Sequence, residues 1–239
     1  MKQAVRTSAG WERIMKDLSN KTLGIIHASH ITITAMEPYI QKYIPEVQIM
    51  HLCDDTIQRD NIKAGAGVIP KVNYYKFAQY AHNLEEAGVD LILLACSTFN
   101  YAAELGRPLI DTQIAQIDRP MMEKAVRTGK KIGLLATLAT TVPSSERLLD
   151  IAAAEAGVEI ERKTVLCSEA FEEYSKGNIE RHNELLLTAI DQLSEEVDCI
   201  VMAQLSMSAL APYLKDTKVP VYNSGDTGFV RIREMLEAM

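Results

Sequence analysis

An internal repeat of apolar segments constrains the fold of this chain more than any other feature of its sequence. Residues 89–96 align with residues 197–204, at an offset of 108 positions (89 to 197). Two further pairs of segments align in the same order, at offsets of 109 (23 to 132) and 112 (107 to 219): residues 23–28 with 132–137, and residues 107–110 with 219–222. Any α/β protein contains apolar strands, but three matches in one order indicate two similar halves.

The alternation of strands with helices inside each half predicts the fold class. Residues 89–95 are apolar almost throughout, as expected for a parallel strand covered on both faces. Residues 74–87 carry apolar side chains on one helical face and end at Gly88, a residue type that often follows a helix. We therefore predict an α/β fold of two pseudo-symmetric lobes, each a mainly parallel sheet flanked by helices. Ligands of such sheets bind beyond the carboxyl ends of the strands, so an active site is expected in the inter-lobe cleft.

The repeat also sets the expected domain boundaries. They are an N-terminal extension (residues 1–20), a first lobe (21–116), a second lobe (117–214) and a final segment that can return to the first lobe (215–239). Within this scheme, residues 107–110 and 158–162 are predicted to be short strands, and a helix is predicted to begin at residues 102–105.

The composition excludes several classes of function. Acidic residues outnumber basic ones, 32 against 25, and the formal net charge is −7. Because no basic stripe is present, nucleic acid is not expected as a partner. No apolar run approaches the ~18 residues of a spanning helix, and the N-terminus does not resemble a secretory signal, so no membrane partner is expected. Hydrophobic residues make up 47% of the chain, which suits a soluble globular protein.

The four cysteines are spaced neither as metal ligands nor as a disulfide framework. We therefore expect a cytoplasmic protein with reduced thiols and without a metal site. Gly65 and Gly67 lie in a flexible loop that forms neither a dinucleotide nor a phosphate-binding fingerprint. The sequence thus predicts no cofactor.

Cys96 is the strongest candidate for a chemical role. It follows the apolar strand at residues 89–95 and precedes the predicted helix start. A thiol at a helix N-terminus faces free N–H groups and the positive end of the helix dipole, which lower its pKa and favour the thiolate. Such a thiolate can act as a base on carbon or as a nucleophile, and the N–H groups can hold a substrate carboxylate. The alternative is a buried cysteine that packs as a small hydrophobe.

Other polar residues follow the same strands and are expected to line the cleft. The threonines after the strand at residues 132–137 can bind a carboxylate or cap the next helix. Gln204 can donate an amide hydrogen bond to a substrate oxygen or fix its turn. The predicted substrate-binding residues are Ser29, Ser97, Thr98, Asn100, Thr137, Thr140, Thr141, Gln204, Leu205 and Ser206.

Four segments resemble the aspartate/glutamate/hydantoin racemase superfamily. Residues 91–98 (LILLACST) resemble its first catalytic segment, a hydrophobic strand that ends in Cys-x-Thr. Residues 132–141 (IGLLATLATT) resemble its Gly-Leu-Leu-Ala-Thr strand with the threonine turn that follows. Residues 198–206 (DCIVMAQLS) fall on the second catalytic segment, and residues 219–224 (VPVYNS) on the strand after it. The resemblance extends over residues 23–239, nearly the whole chain.

This resemblance implies a cofactor-independent isomerase that acts on a small carboxylate. In many members of the superfamily, two cysteines face each other across the substrate α-carbon. One thiolate removes the α-proton, and the other thiol delivers a proton from the opposite side. Backbone N–H and hydroxyl groups hold the carboxylate and stabilise the developing enolate. The resemblance also implies a homo-oligomer, commonly a dimer, for which the N-terminal extension is available.

The sequence departs from the superfamily pattern at the second catalytic cysteine, where it has Gln204. An amide cannot exchange a proton near neutral pH, so a one-cysteine variant with Cys96 as the catalytic residue is predicted. His27, at the end of the first strand, is the candidate for a second base because its ordinary pKa of ~6.5 suits proton transfer. His27 can equally bind the substrate or cap a helix.

Three functions remain open on these grounds. The first is cysteine-mediated proton transfer at the carbon next to the carboxylate of a small acid or amino acid, by a racemase- or epimerase-type isomerase. The second is a single-cysteine decarboxylase or lyase of a small carboxylic acid, because such a reaction needs only one proton donor. The third is a non-catalytic carboxylate-binding protein, which would keep the hydroxyl contacts but would not need a reactive thiol.

Overall fold

The fold consists of two four-stranded parallel sheets, each flanked by helices, in a computed structural model that describes residues 16–239. The first fifteen residues of the predicted N-terminal extension lie outside this range. The prediction of an α/β fold with two pseudo-symmetric lobes is confirmed, because the two sheets have the same strand order and every strand pair is parallel.

The first lobe contains the first four strands and four helices. Its strands are β1 (Thr22–His27), β2 (Gln48–Cys53), β3 (Leu91–Leu94) and β4 (Ile114–Gln116), in the order β2-β1-β3-β4. Its helices are α1 (Ile31–Tyr43), α2 (Asp55–Ala64), α3 (Lys71–Glu86) and the short α4 (Ala102–Gly106), followed by a 3₁₀ turn at Arg107–Leu109.

The second lobe repeats this plan with different helices. Its strands are β5 (Lys131–Ala136), β6 (Glu161–Leu166), β7 (Cys199–Met202) and β8 (Val221–Asn223), in the order β6-β5-β7-β8. Its helices are α5 (Arg119–Thr128), α6 (Val142–Ala156), α7 (Ser168–Ser175) and α8 (Ile179–Leu193), with a 3₁₀ helix at Leu205–Tyr213 and the C-terminal α9 (Ser224–Ala238).

The last strand of the first lobe is not where the sequence pattern placed it. Residues 107–110, predicted to be a strand, begin with the 3₁₀ turn, and β4 starts at Ile114 instead. Pro108 has no N–H to donate to a strand ladder, and its fixed φ suits the first turn of a helix. The offset between the fourth strands of the two lobes is therefore 107 (114 to 221) rather than 112. The strand predicted at residues 158–162 also begins later, at Glu161.

Two equivalent glycines explain how a helix packs closely on the central strand of each sheet. A Cβ on Gly24 in β1 would lie 2.8 Å from the side chain of Leu84 in α3. A Cβ on Gly133 in β5 would lie 2.7 Å from the side chain of Leu193 in α8. The glycine of each repeat thus lets a leucine of the covering helix reach the strand backbone.

The C-terminal helix crosses from the second lobe to the first. Strand β8 belongs to the second sheet, but Phe229, Ile232 and Leu236 of α9 pack into the core formed by β1 and β3. Leu18, from the predicted N-terminal extension, is buried in the same core. Within residues 16–239, no helix is long and apolar enough to cross a membrane.

Candidate active site

A cavity of about 290 Å³ lies between the lobes, at the carboxyl ends of the central strands. Cys96, Ser97 and Thr98 reach it from the loop after β3, and Gln204 reaches it from the equivalent loop after β7. Thr141 reaches it from the segment between β5 and α6. The cavity therefore occupies the position at which the repeat predicts a ligand site.

Cys96 lines this cavity but is not at a helix N-terminus. Helix α4 begins six residues later, at Ala102, and its capping residue Tyr101 makes no side-chain capping bond. Burial raises the pKa of the Cys96 thiol to about 12, against the opposing effect of backbone N–H groups of Phe99 and Thr98 that point at the sulfur. The prediction of a lowered pKa and a resting thiolate is wrong, because desolvation of the charged sulfur outweighs these N–H groups. The resting form is the thiol.

Asp118 is a second buried acid beside Cys96, and the sequence analysis did not identify it. It follows β4, has no exposed surface, and its charge further raises the pKa of the Cys96 thiol. Neither carboxyl oxygen makes a hydrogen bond of normal geometry with any residue in the range 16–239. Burial raises the pKa of Asp118 to about 6, although the nearby hydroxyls of Ser97 and Ser224 act to lower it.

Gln204, in the position of the missing second cysteine, is anchored through its side-chain oxygen. Oε1 accepts hydrogen bonds from the Thr137 N–H at 2.6 Å, the Thr137 hydroxyl at 2.9 Å and the Leu138 N–H at 3.3 Å. These bonds fix the turn after β5 rather than the turn after β7 in which Gln204 itself lies. Because the oxygen is fully used, the group that Gln204 can offer to a ligand in the cavity is its Nε2 amide donor.

His27 is fully buried and is not part of the cavity wall. The Thr32 hydroxyl donates to the Ser29 carbonyl at 2.7 Å, so its oxygen accepts from His27 Nδ1 at 2.6 Å. His27 Nε2 then accepts from His51 Nδ1 at 2.9 Å. Burial, together with the neighbouring His51, lowers the pKa of His27 to about 4. Both ring nitrogens are occupied, so the structure does not place His27 as a second base facing a substrate.

The remaining predicted site residues divide into two groups. Ser29, Leu205 and Ser206 line the cavity, and the Thr98 and Thr141 hydroxyls meet across the lobes at 3.1 Å. The residues outside the cavity wall are Asn100, whose Oδ1 accepts from the Ser144 hydroxyl at 3.1 Å, Thr137, which binds Gln204, and Thr140, which lies in a neighbouring depression. Thr141 directly precedes α6 but makes no side-chain capping bond.

A wall of apolar side chains completes the cavity and was also missed by sequence reasoning. It comes from helices rather than strand ends: Ile31 and Ala35 of α1, Ile62 of α2, and Phe171 and Tyr174 of α7. No sequence signal connects these three helices, because only the fold brings them together. Among residues 16–239, no group of three or more His, Cys, Asp or Glu side chains is arranged to hold a metal ion.

The fold and the site define a class: a two-lobed α/β protein with a cavity at the facing strand ends. The family model of Asp/Glu/Hydantoin racemase matches residues 32–232, and the chain belongs to this family. The resemblance noted in the sequence is thereby confirmed at the level of the family.

Solved structures of racemases share the fold at low sequence identity. The aspartate racemase of Picrophilus torridus superposes with a TM-score of 0.67 at 17% identity, covering 91% of this chain and 94% of that protein. The allantoin racemase of Klebsiella pneumoniae gives 0.65 at 19% identity, with coverage of 91% and 88%. The glutamate racemase of Francisella tularensis, solved with D-glutamate, gives 0.70 at 14% identity, with coverage of 92% and 82%.

Proposed function

We propose that this chain is a cofactor-independent enzyme in which the Cys96 thiol transfers a proton at the carbon next to the carboxylate of a small acid or amino acid. The observation that carries the proposal is the position of Cys96, in the inter-lobe cavity and opposite the loop that holds Gln204. Membership of the Asp/Glu/Hydantoin racemase family supports the reaction class.

In this proposal, neutral donors hold the substrate carboxylate. Ser97, Thr98 and Thr141 present hydroxyls to the cavity, and Gln204 presents its Nε2 amide. Ser29 and Ser206 offer further hydroxyls at the wall, and Leu205 contributes apolar surface. These groups can stabilise the negative charge that develops on the carboxylate oxygens as the α-carbon loses or gains its proton.

The protonation state of Cys96 decides whether it first donates or first accepts a proton. Because its pKa is raised to about 12, Cys96 enters the reaction as a thiol. In a decarboxylase or lyase reaction it donates this proton to the α-carbanion left by bond cleavage, whereas in an isomerisation the thiol first loses its proton to water, and the thiolate then removes the α-proton and returns a proton to the α-carbon. Donation leaves a thiolate, which the N–H groups of Phe99 and Thr98 are placed to stabilise. Water or a second substrate then returns the proton to sulfur.

Gln204 favours a second candidate, a decarboxylase or lyase with one proton donor. In that reaction a carbon–carbon bond breaks, and its electron pair passes into an enediolate on the retained carboxylate. The α-carbon then takes the Cys96 proton from one face. The facing amide of Gln204 cannot supply a proton from the other face, which is the requirement for racemisation by two thiols.

Deuterium incorporation tests the proposal and separates the candidates. The protein is incubated in D₂O with a panel of single-enantiomer 2-substituted carboxylic and malonic acids, and each product is analysed by NMR and by chiral chromatography. Exchange with loss of optical purity indicates an isomerase, whereas release of carbon dioxide or a fragment with deuterium on one face indicates a lyase.

The matched variants are Cys96→Ala and Cys167→Ala. Cys167 is a free, half-buried cysteine outside the cavity wall. We expect Cys96→Ala to lower the rate by about 10²- to 10⁴-fold, the usual contribution of a positioned acid or base, while Cys167→Ala keeps it. Equal rates in the two variants, or no exchange and no bond cleavage in the wild type, would contradict the proposal. The latter result favours a carboxylate-binding protein.

We also propose that the protein acts in the cytoplasm as a homo-oligomer. Cys53, Cys96, Cys167 and Cys199 are all free thiols, which is compatible with a reducing compartment. Light scattering of the purified chain coupled to size-exclusion chromatography measures the oligomeric state directly. A monomer at micromolar concentration would contradict that part of the proposal.

A further inference from the structure

The residues of the cavity wall indicate which substituent the substrate carries in addition to its carboxylate. Polar groups are supplied mainly by the segments after β1, β3, β5 and β7, where Cys96, Thr141 and Gln204 lie. The helices supply mostly apolar surface, from Ile31, Ala35 and Ile62 in the first lobe and Phe171 in the second. A ligand whose carboxylate is held at the strand ends therefore directs its remaining substituent toward these helices.

No charged side chain from residues 16–239 lines this cavity. A second carboxylate, as in aspartate or glutamate, would meet no lysine, arginine or histidine there. A cationic substituent would likewise meet no aspartate or glutamate. Moving such a charge from water into an apolar wall without a partner is strongly unfavourable.

Two of the apolar wall residues are exposed to solvent. Ile31 is 42% exposed and Ile62 is 50% exposed. They lie on different helices but line the same cavity. An apolar substituent would cover both side chains, and removal of this surface from water favours binding.

The aromatic rings and the size of the cavity restrict the substituent further. Phe171 and Tyr174 lie one helical turn apart on α7, and both line the cavity, so they offer ring faces or edges to an aryl group. The volume of about 290 Å³ is at the lower end of the range for ligand pockets, which suits one ring or one branched alkyl group.

We propose that the cavity selects small carboxylic acids whose second substituent is uncharged and apolar, aryl or branched alkyl, and discriminates against dicarboxylates. This inference rests on the proposed function for the placement of the carboxylate at the strand ends. The substrate class then differs from aspartate and glutamate, in whose racemases the fold is also found.

Calorimetric titration tests the selectivity without requiring turnover. The probes are phenylacetate and 2-phenylpropanoate, compared with succinate and glutarate. We expect the aryl acids to bind at least tenfold more tightly than the dicarboxylates, and Ile62→Asp to remove at least tenfold of the affinity for phenylacetate. Ile31→Asp is the second variant, because an acidic residue is well tolerated in the first turn of a helix.

Leu109→Asp is the matched control, since Leu109 is 68% exposed and lies outside the cavity wall. It should bind phenylacetate as the wild type does. Equal or tighter binding of succinate or glutarate, or no binding of either aryl acid, would overturn the inference. The exchange assay on the wild type separates the two proposals. A wild type that prefers aryl acids but shows neither exchange nor bond cleavage would contradict only the proposed reaction, whereas a wild type that exchanges dicarboxylates alone would contradict only the selectivity.

Discussion

The two lobes share a backbone plan but place different chemistry at equivalent strand ends. Strand β1 ends at His27 and the equivalent β5 ends at Ala136. Cys96 lies two residues beyond β3, and Gln204 lies two residues beyond β7. Two residues beyond β4 is Asp118, whereas two residues beyond β8 is Gly225, where the Tyr39 ring occupies the space that a Cβ would need.

The comparison indicates that titratable groups are concentrated in the first lobe at these three positions. The second lobe supplies a neutral amide and small residues there. Within residues 16–239, these equivalent positions therefore do not place two like titratable groups opposite each other. In the proposed reaction, the first lobe supplies the proton from Cys96 and the second lobe supplies hydrogen-bond donors, so each lobe can be perturbed separately.

His27, in the first lobe, is the residue for which we expect the largest effect. Its pKa is lowered to about 4 in the folded protein, so the native state binds fewer protons than the unfolded chain between about pH 4 and 6.5. The contribution of neutral His27 to the free energy of unfolding is fully present above pH 6.5. It is lost as the pH falls from 6.5 through 4, and the loss amounts to about 3 kcal/mol. We expect urea unfolding of His27→Gln to show a flatter pH dependence than the wild type in this window. Parallel curves would show that His27 does not carry the effect.

Gln204→Glu tests whether the second lobe must present an uncharged side chain to the cavity. A glutamate keeps the oxygen that accepts from Thr137 and Leu138 but replaces the Nε2 donor with a negative oxygen. We expect the affinity for phenylacetate to fall by about tenfold or more, because like charges then face each other. Gln204→Ala is the contrasting variant, since it leaves the buried Thr137 N–H without its acceptor and should cost about 1–3 kcal/mol in the free energy of unfolding. Unchanged phenylacetate affinity in Gln204→Glu would exclude the amide as a carboxylate ligand.

Asp118→Asn tests the coupling between the two acids of the first lobe. Removing the carboxylate charge should lower the pKa of Cys96 and so increase the fraction of thiolate. The thiolate fraction rises by about tenfold for each pH unit by which that pKa falls. We expect iodoacetamide to alkylate Cys96 several-fold faster at pH 8.5, as followed by mass spectrometry of the Cys96 peptide. Asp216→Asn, at an exposed carboxylate, is the control and should leave the rate unchanged. A slower or equal rate in Asp118→Asn would contradict the coupling.

Thr141→Val gives the smallest expected effect and tests the contact between the lobes. It removes the 3.1 Å hydrogen bond to Thr98 and should lower the free energy of unfolding by about 1 kcal/mol. Thr140→Val is the matched control, because it makes the same substitution at the neighbouring residue. The buried Thr140 hydroxyl has no hydrogen-bond partner within residues 16–239, so this change should be neutral or stabilising. Thermal melts of the two variants should therefore shift in opposite directions or differ by a few degrees.

Much of the fold was predictable from the sequence because strands buried on both faces have a strong local signature. The segments around Gly24 and Gly133 and the segments before Cys96 and Gln204 all form the expected strands. The fourth strand of the first lobe was misplaced by several residues because β4 has only three residues and follows a proline-containing turn. Short strands have little pattern of their own, and their pairing is decided by the sheet.

The candidate site was predictable only where it lies at strand ends. Cys96, Thr141 and Gln204 follow recognisable strands and do line the cavity. The apolar wall on α1, α2 and α7 depends on contacts between distant segments, which no local pattern encodes. The direction of the Cys96 pKa shift was also beyond sequence reasoning, because it depends on the depth of burial and on Asp118, whose strand had been misplaced.

The crossing of α9 has a consequence for how the chain folds as it is synthesised. Phe229, Ile232 and Leu236 complete the core that surrounds β1 and β3, although they follow all four strands of the second sheet in the chain. While a ribosome is still producing the second sheet, the first sheet has one face without its final cover. The first lobe can therefore reach its native packing only after α9 has left the exit tunnel.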